Sequence, residues 1–137
     1  MPDTARLLDA NLLVALIVAD HIHHPLAEEW FARDDARFAT CPTTQRMLLQ
    51  FLVREGAAAA EAVDVLNTVA ANERHEFWAD DVDLRHVTYS GVVGHRQVTD
   101  SYLAALARAH DARLVTLDRG LAALHPDVTD LVGAAAR

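Results

Sequence analysis

The stretch "RLVTL", Arg113 to Leu117, is the clearest strand in the chain, and it follows a segment in which Leu103, Leu106, Ala107 and His110 recur at helical spacing. The same order holds elsewhere. Arg6 to Leu8 reads as a short strand, Leu12 to Ala19 as a helix, and Leu26, Ala27, Trp30 and Phe31 as a second helix. "RFATC", Arg37 to Cys41, is the next strand. Leu48, Phe51 and Leu52 mark a helix after Pro42, and Ala58, Ala62, Val65, Leu66 and Val69 mark another. Glu76 to Ala79 is a third strand candidate, a helix is expected from about Ser101 to His110, and "DVTDLV" adds an edge strand. Such alternation predicts an α/β protein in which a small parallel sheet is sandwiched between helices.

A chain of 137 residues, 52% of them hydrophobic, is expected to form one domain over residues 1–137 with one core. The longest apolar run, Leu12 to Ala19, falls short of the roughly 20 residues a membrane-spanning helix needs. No basic leader precedes it, and the expectation is a soluble, unexported, cytoplasmic protein with no membrane partner. Cys41 is the single cysteine, which excludes an internal disulfide or a zinc-finger spacing and predicts a buried free thiol. The formal charge of -8 argues against broad nonspecific attraction to nucleic acid or anionic membrane. All the basic residues are Arg, so lysine chemistry is closed and bidentate phosphate contacts remain open.

Open parallel sheets place their ligand sites outside the carboxyl ends of the strands. Asp9 leaves the first strand there, and Asp118 leaves "RLVTL" in the same way. Helices in such a sheet run antiparallel to the strands, so Asp100, at the amino end of its expected helix, and Gln45, near the start of another, belong to the same edge. Each residue alone has an ordinary use, because Asp and Asn favour turns and cap helices. Together they are costly: three anions brought close raise one another's pKa unless something positive neutralises them. With no lysine in the chain, a divalent cation is the natural candidate, and oxygen ligands suit Mg²⁺ or Mn²⁺. Such an ion activates water and offsets charge on a scissile phosphate, so phosphate chemistry is expected.

The motifs "LLDANLL", "TCPTTQRMLLQFL" and "VTDSYLAALARAHDARLVTLDRGL", with the spacing between them, resemble the PIN-domain family, and more narrowly the VapC-type toxins of bacterial toxin-antitoxin pairs. "DHIHHPLAEEWF" and "GHRQVTD" are also similar to that subgroup, and the resemblance covers essentially the whole chain. It implies a three-layer α/β/α sandwich and Mg²⁺- or Mn²⁺-dependent endoribonuclease activity on RNA. It also implies dimerisation and inhibition by a cognate VapB-type antitoxin whose tail enters the acidic site. Carried over to this chain, Asp9, Asp100 and Asp118 form the acidic, metal-holding cluster, with Asn11 and Thr116 orienting Asp9 and Asp118 by hydrogen bonds. The position after "PTT" is commonly Glu in the family and is Gln45 here. An amide oxygen can still ligate a hard cation or accept from a water, but one negative charge is gone, and weaker metal binding is expected.

Arg46, Arg96 and Arg119 lie near these residues in sequence and are candidates for gripping RNA phosphates, although a surface Arg is more often solvated or weakly paired. His21, His23 and His24 suggest a transition-metal site only superficially, since zinc needs further ligands in fixed geometry. The apolar Leu12 to Ala19 helix needs cover on every side, from the core or from another chain. A competing function is a catalytically weak module that binds RNA or a partner, if Gln45 has impaired the metal site. A phosphotransfer domain lacks the necessary Lys, and neither a P-loop nor a G-x-G-x-x-G stretch is present.

Overall fold

Five three-residue strands, all parallel, lie at the centre of the computed structural model, which describes residues 4–33 and 35–133. They are β1 (Arg6–Leu8), β2 (Phe38–Thr40), β3 (His75–Phe77), β4 (Leu114–Thr116) and β5 (Thr129–Leu131), in the order β3-β2-β1-β4-β5. Around them run α1 (Ala10–Ile17), α2 (His24–Arg33), α3 (Pro42–Arg54), α4 (Ala59–Ala70), α5 (Arg96–Ala109) and α6 (Arg119–Leu124). The architecture is a three-layer α/β/α sandwich.

The strands are apolar at successive positions because both faces of the sheet are covered. Leu7, Ala39 and Leu114 pack on one side with Leu103, Leu106 and Ala107 of α5 and Leu121 of α6. Leu8, Phe38 and Val115 pack on the other with Leu12, Leu13 and Val14 of α1, Ala27 of α2 and Leu48 of α3. One residue along a strand therefore changes the layer it serves. Trp30 and Phe31 join the second core at its margin, where Phe31 meets Phe38 edge-on and the Arg74 guanidinium lies 3.8 Å from the Phe31 ring centre. Cys41 is a buried free thiol, and burial pushes its pKa up to about 11.

Two helix starts differ from the sequence reading. α1 begins at Ala10 rather than Leu12, because the Asp9 carboxylate accepts the Ala10 amide at 2.8 Å and starts the helix at the strand end. α5 begins at Arg96 rather than Ser101, because Gln97 Oε1 takes the amides of Val93 and Gly94 at 2.6 and 2.9 Å. Asp100 consequently sits one turn inside its helix and not at its amino end. The strands are shorter than the apolar runs that announced them, and α6, which Asp118 caps, was not anticipated. Chain reversals use residues that tolerate left-handed backbone: Gly56 after α3, with φ of 108°, and Asp111 after α5, with φ of 51°.

On the α5 and α6 side, a polar string runs through the core. Asp127 grips Arg108 with two bonds of 2.8 Å, Arg108 donates to His125 Nδ1 at 3.1 Å, and His125 Nε2 lies 3.1 Å from Ser101 Oγ. Because arginine can only donate, Nδ1 is the acceptor and Nε2 carries the proton, so His125 is neutral and Ser101 is not activated. Burial and the Arg108 charge lower the His125 pKa accordingly. Replacing His125 with Ala leaves the buried Ser101 hydroxyl without its partner and opens a gap in the core, and is expected to lower stability by about 2 kcal/mol in urea denaturation.

Candidate active site

The strand order reverses at β1: the chain steps outward to β2 and β3, then returns to add β4 on the opposite side. A crevice outside the carboxyl ends of the strands belongs at such a switch point. Asp9 follows β1 and Asp118 lies two residues beyond β4, so both flank it.

Asp9 is buried, with only 5% of its surface exposed, and both oxygens are engaged. Oδ1 takes the Ala10 amide, and Oδ2 takes the Thr116 hydroxyl at 2.7 Å. Thr116 Oγ1 in turn accepts the Asp118 amide at 2.9 Å, so one buried hydroxyl ties the ends of β1 and β4 together. Asn11 Oδ1 accepts the Leu117 amide at 3.4 Å, while the Thr116 proton is committed to the nearer Asp9. Asp118 spends Oδ1 on the amides of Gly120 and Leu121 at the start of α6, and its residue is otherwise exposed. Asp100 is half-buried on α5 and has no hydrogen-bond partner among the described residues.

Asp9 and Asp100 feel neighbouring negative charge. Burial pushes Asp9 up to about 6 against the opposing pull of its two hydrogen bonds, and the Asp118 charge adds to the rise. Asp100 is also pushed up to about 6, by burial first and then by the charges of Asp9 and Asp118. Among the described residues, no three His, Cys, Asp or Glu side chains stand close enough to hold a metal ion by themselves.

Gln45 lies in the first turn of α3, and its Nε2 donates to Thr40 Oγ1 at 3.1 Å. Thr40, at the end of β2, also contacts His75 Nε2 at 2.8 Å. Arg96 opens α5 and borders a cleft of about 390 Å³ with Asn11, His21 and Arg54, and Arg119 is exposed beside Asp118. His21 Nδ1 accepts the His23 amide, and His24 Nδ1 bonds the Ala15 carbonyl, so the histidine run serves the turn after α1. The sequence reading missed Thr43 and Asp80, joined at 2.7 Å, and Tyr102 close by. Asp80 was findable, because it leaves β3 much as Asp9 and Asp118 leave their strands.

A family model described as PIN domain matches residues 6–125. The chain is 57% identical over 126 residues to Ribonuclease VapC29 of Mycobacterium tuberculosis, covering 92% of this chain and 95% of the relative. It is 41% identical over 121 residues to Ribonuclease VapC38 of the same organism, covering 84% and 86%. Among solved structures, M. tuberculosis VapC20, described as a sarcin-ricin loop cleaving toxin, aligns with a TM-score of 0.68 at 17% identity over 88% of this chain and 95% of that one. VapBC2 from Rickettsia felis, solved with a DNA fragment from its promoter, aligns with a TM-score of 0.64 at 16% identity over 93% and 98%. At such identities the structural likenesses speak to the fold alone.

Proposed function

Since the chain belongs to the PIN domain family, we propose that it is a divalent-metal-dependent endoribonuclease that hydrolyses RNA phosphodiester bonds as the toxin of a type II toxin-antitoxin pair. The observation that carries this reading is the 57% identity with Ribonuclease VapC29 over nearly the whole chain. The acidic cluster at the switch point supplies suitable chemistry.

The donor set fits a magnesium-like ion. Asp9, buried, and Asp100, half-buried, are acids whose ionised forms are disfavoured by desolvation and by like charges, the condition a hard cation relieves. Mg²⁺ keeps several waters and uses one or two carboxylates plus substrate phosphate, so it does not need a cage made of protein ligands alone. Held by Asp9, Asp100 and Asp118, Mg²⁺ or Mn²⁺ would supply a more acidic bound water and positive charge opposite the scissile phosphate.

The protein's own contribution is positioning. Thr116 fixes the Asp9 carboxylate by donating to Oδ2, and its acceptance of the Asp118 amide holds the two strand ends in register. Asn11 secures the next amide, that of Leu117. Arg96 and Arg119, exposed on the rim, would grip RNA phosphates around an otherwise acidic centre. We take the partner to be a VapB-type antitoxin, as in the VapBC pair of R. felis, and the assembly to be a homodimer. No helix among the described residues is long and apolar enough to cross a membrane, and we place the protein in the cytoplasm.

The test is incubation of purified protein with RNA in Mg²⁺, Mn²⁺ or EDTA, with mapping of the new 5′ ends. Discrete ends that require the metal are expected; cleavage undiminished in EDTA would overturn the metal-dependent reading. Gln45 gives a further test. In the Gln45→Glu protein the new carboxylate can accept the Thr40 hydroxyl while adding a negative charge to the cluster, and Mg²⁺ affinity should rise about tenfold in calorimetric titration. Unchanged affinity would remove Gln45 from the metal's surroundings.

A further inference from the structure

Beside the acidic cluster, between α3 and α5, lies a second cavity of about 260 Å³ that the reading above leaves unused. Its polar lining is Thr43, Arg46, Asp80, Thr99 and Tyr102, and Val98 is part of its apolar wall. Arg46 follows Gln45 on α3 and Thr99 precedes Asp100 on α5, so the cavity draws its lining from the same two helices as the candidate site.

Its charges are arranged unusually. Asp80 and Arg46 border the same space, yet they form no ion pair with each other, and Arg46 has no hydrogen-bond or ion-pair partner among the described residues. Asp80 is nevertheless anchored, since its Oδ2 accepts the Thr43 hydroxyl at 2.7 Å. Behind it is the Tyr102 hydroxyl, buried and turned toward the Asp80 carboxylate, although among the described residues it makes no hydrogen bond of full geometry. Burial and then the Asp80 charge raise the Tyr102 pKa, so the phenol stays protonated beside the carboxylate. A fixed acceptor, an unpaired cationic donor and a buried hydroxyl beside the acceptor thus share a space that lies at the small end of ligand pockets, the size of one heterocycle.

We propose that this cavity is a nucleobase subsite that reads a guanine next to the scissile phosphate, with Asp80 on its Watson-Crick edge and Arg46 on O6 and N7. The assignment rests on the ribonuclease reading above. It follows from donor and acceptor pattern: a carboxylate only accepts, and guanine alone offers two adjacent N–H donors, N1–H and the 2-amino group, on that edge. Adenine and cytosine would turn a ring-nitrogen acceptor toward Asp80, and uracil would turn a single N–H flanked by two carbonyls. Arginine complements the opposite edge of guanine, where O6 and N7 accept. Single-stranded RNA can splay out a base for such reading.

The test uses single-stranded RNA oligonucleotides that differ at one position beside the cut, carrying guanine, inosine, adenine, cytosine or uracil. Cleavage by the wild-type protein is measured together with fluorescence-detected binding to the Asp9→Asn protein. Guanine should be preferred about tenfold or more, with inosine, which lacks the 2-amino group, intermediate. Asp80→Asn should collapse the preference, and Arg46→Gln, at an exposed position whose side chain supports no other contact, should weaken it independently. Equal treatment of all five bases, or a preference that survives both substitutions, would overturn the subsite. So would a change of oligomeric state in the Asp80 or Arg46 variant with base preference intact, which would make this face a contact between copies. Guanine-selective binding with no cleavage by the wild-type protein would instead keep the subsite and defeat the ribonuclease reading.

Discussion

The Asp9→Asn protein is expected to cleave RNA at no more than about a hundredth of the wild-type rate, because a metal contributes several kcal/mol to a phosphodiester transition state and each 1.36 kcal/mol is a factor of ten. Asp9 is the carboxylate on which the cluster converges: it is buried, held on both oxygens, and within the electrostatic reach of Asp100 and Asp118. The substitution preserves the side chain's shape while removing its charge. Its amide oxygen can still cap α1, so the fold should persist. The decisive measurement is mapping of RNA 5′ ends after expression of the wild-type and Asp9→Asn proteins side by side. If the folded, nuclease-free variant cuts at the wild-type rate, Asp9 has no part in the chemistry.

The same substitution should make the protein more stable at neutral pH. Burial pushes Asp9 up from the ordinary 3.8 to about 6 in the folded chain, so the folded state holds this proton more tightly than the unfolded one. The associated stability is complete below about pH 4 and is lost as pH rises through 6. A shift of about two units corresponds to roughly 3 kcal/mol above that range. Asp100 acts in the same direction, more weakly, because it is partly open to solvent. Since Asn cannot match both of Asp9's accepting oxygens, we expect the variant to gain about 1 to 2 kcal/mol at pH 7.5, with the gap closing by pH 4. His75 and His125, whose pKa values are lowered chiefly by burial, act oppositely: the stability they confer is present above their ordinary value and is lost as pH falls. They are common to both proteins and cancel in the difference. Mg²⁺ at about a hundred times its dissociation constant should then add about 2.7 kcal/mol to the wild-type protein at pH 7.5 and little to the variant. Parallel denaturation curves at every pH, or an equal response to Mg²⁺, would show that the charge on Asp9 is not what makes the site costly.

Much of the fold was legible because short-range patterns report it directly. Leu7 and Leu8, or Leu114 and Val115, are apolar in succession, which only a strand covered on both faces requires. The element boundaries were less legible, since they depend on side chains that reach across turns: Gln97 capturing two amides extends α5 by a turn, and no apolar periodicity records that contact. Asp9 and Asp118 were visible as carboxylates leaving strand ends, whereas Asp100 was expected at the amino end of its helix and lies a turn inside it. The Tyr102 cavity was not, because Tyr102 on α5, Thr43 on α3 and Asp80 after β3 become neighbours only when the helices have packed.

By itself the sequence determined the alternation of elements, the parallel sheet, the absence of disulfide and lysine chemistry, and the residues that could stand at the sheet's carboxyl edge. These follow from local periodicity, residue chemistry and the fixed direction of strands within a unit. The tertiary structure alone decided that the Thr116 proton goes to Asp9, that Asp9 loses its water, and that Asp80 and Arg46 share a space without pairing. Distances and burial depend on contacts between residues as far apart as 9 and 116, and such contacts are a property of the folded packing rather than of any stretch of chain.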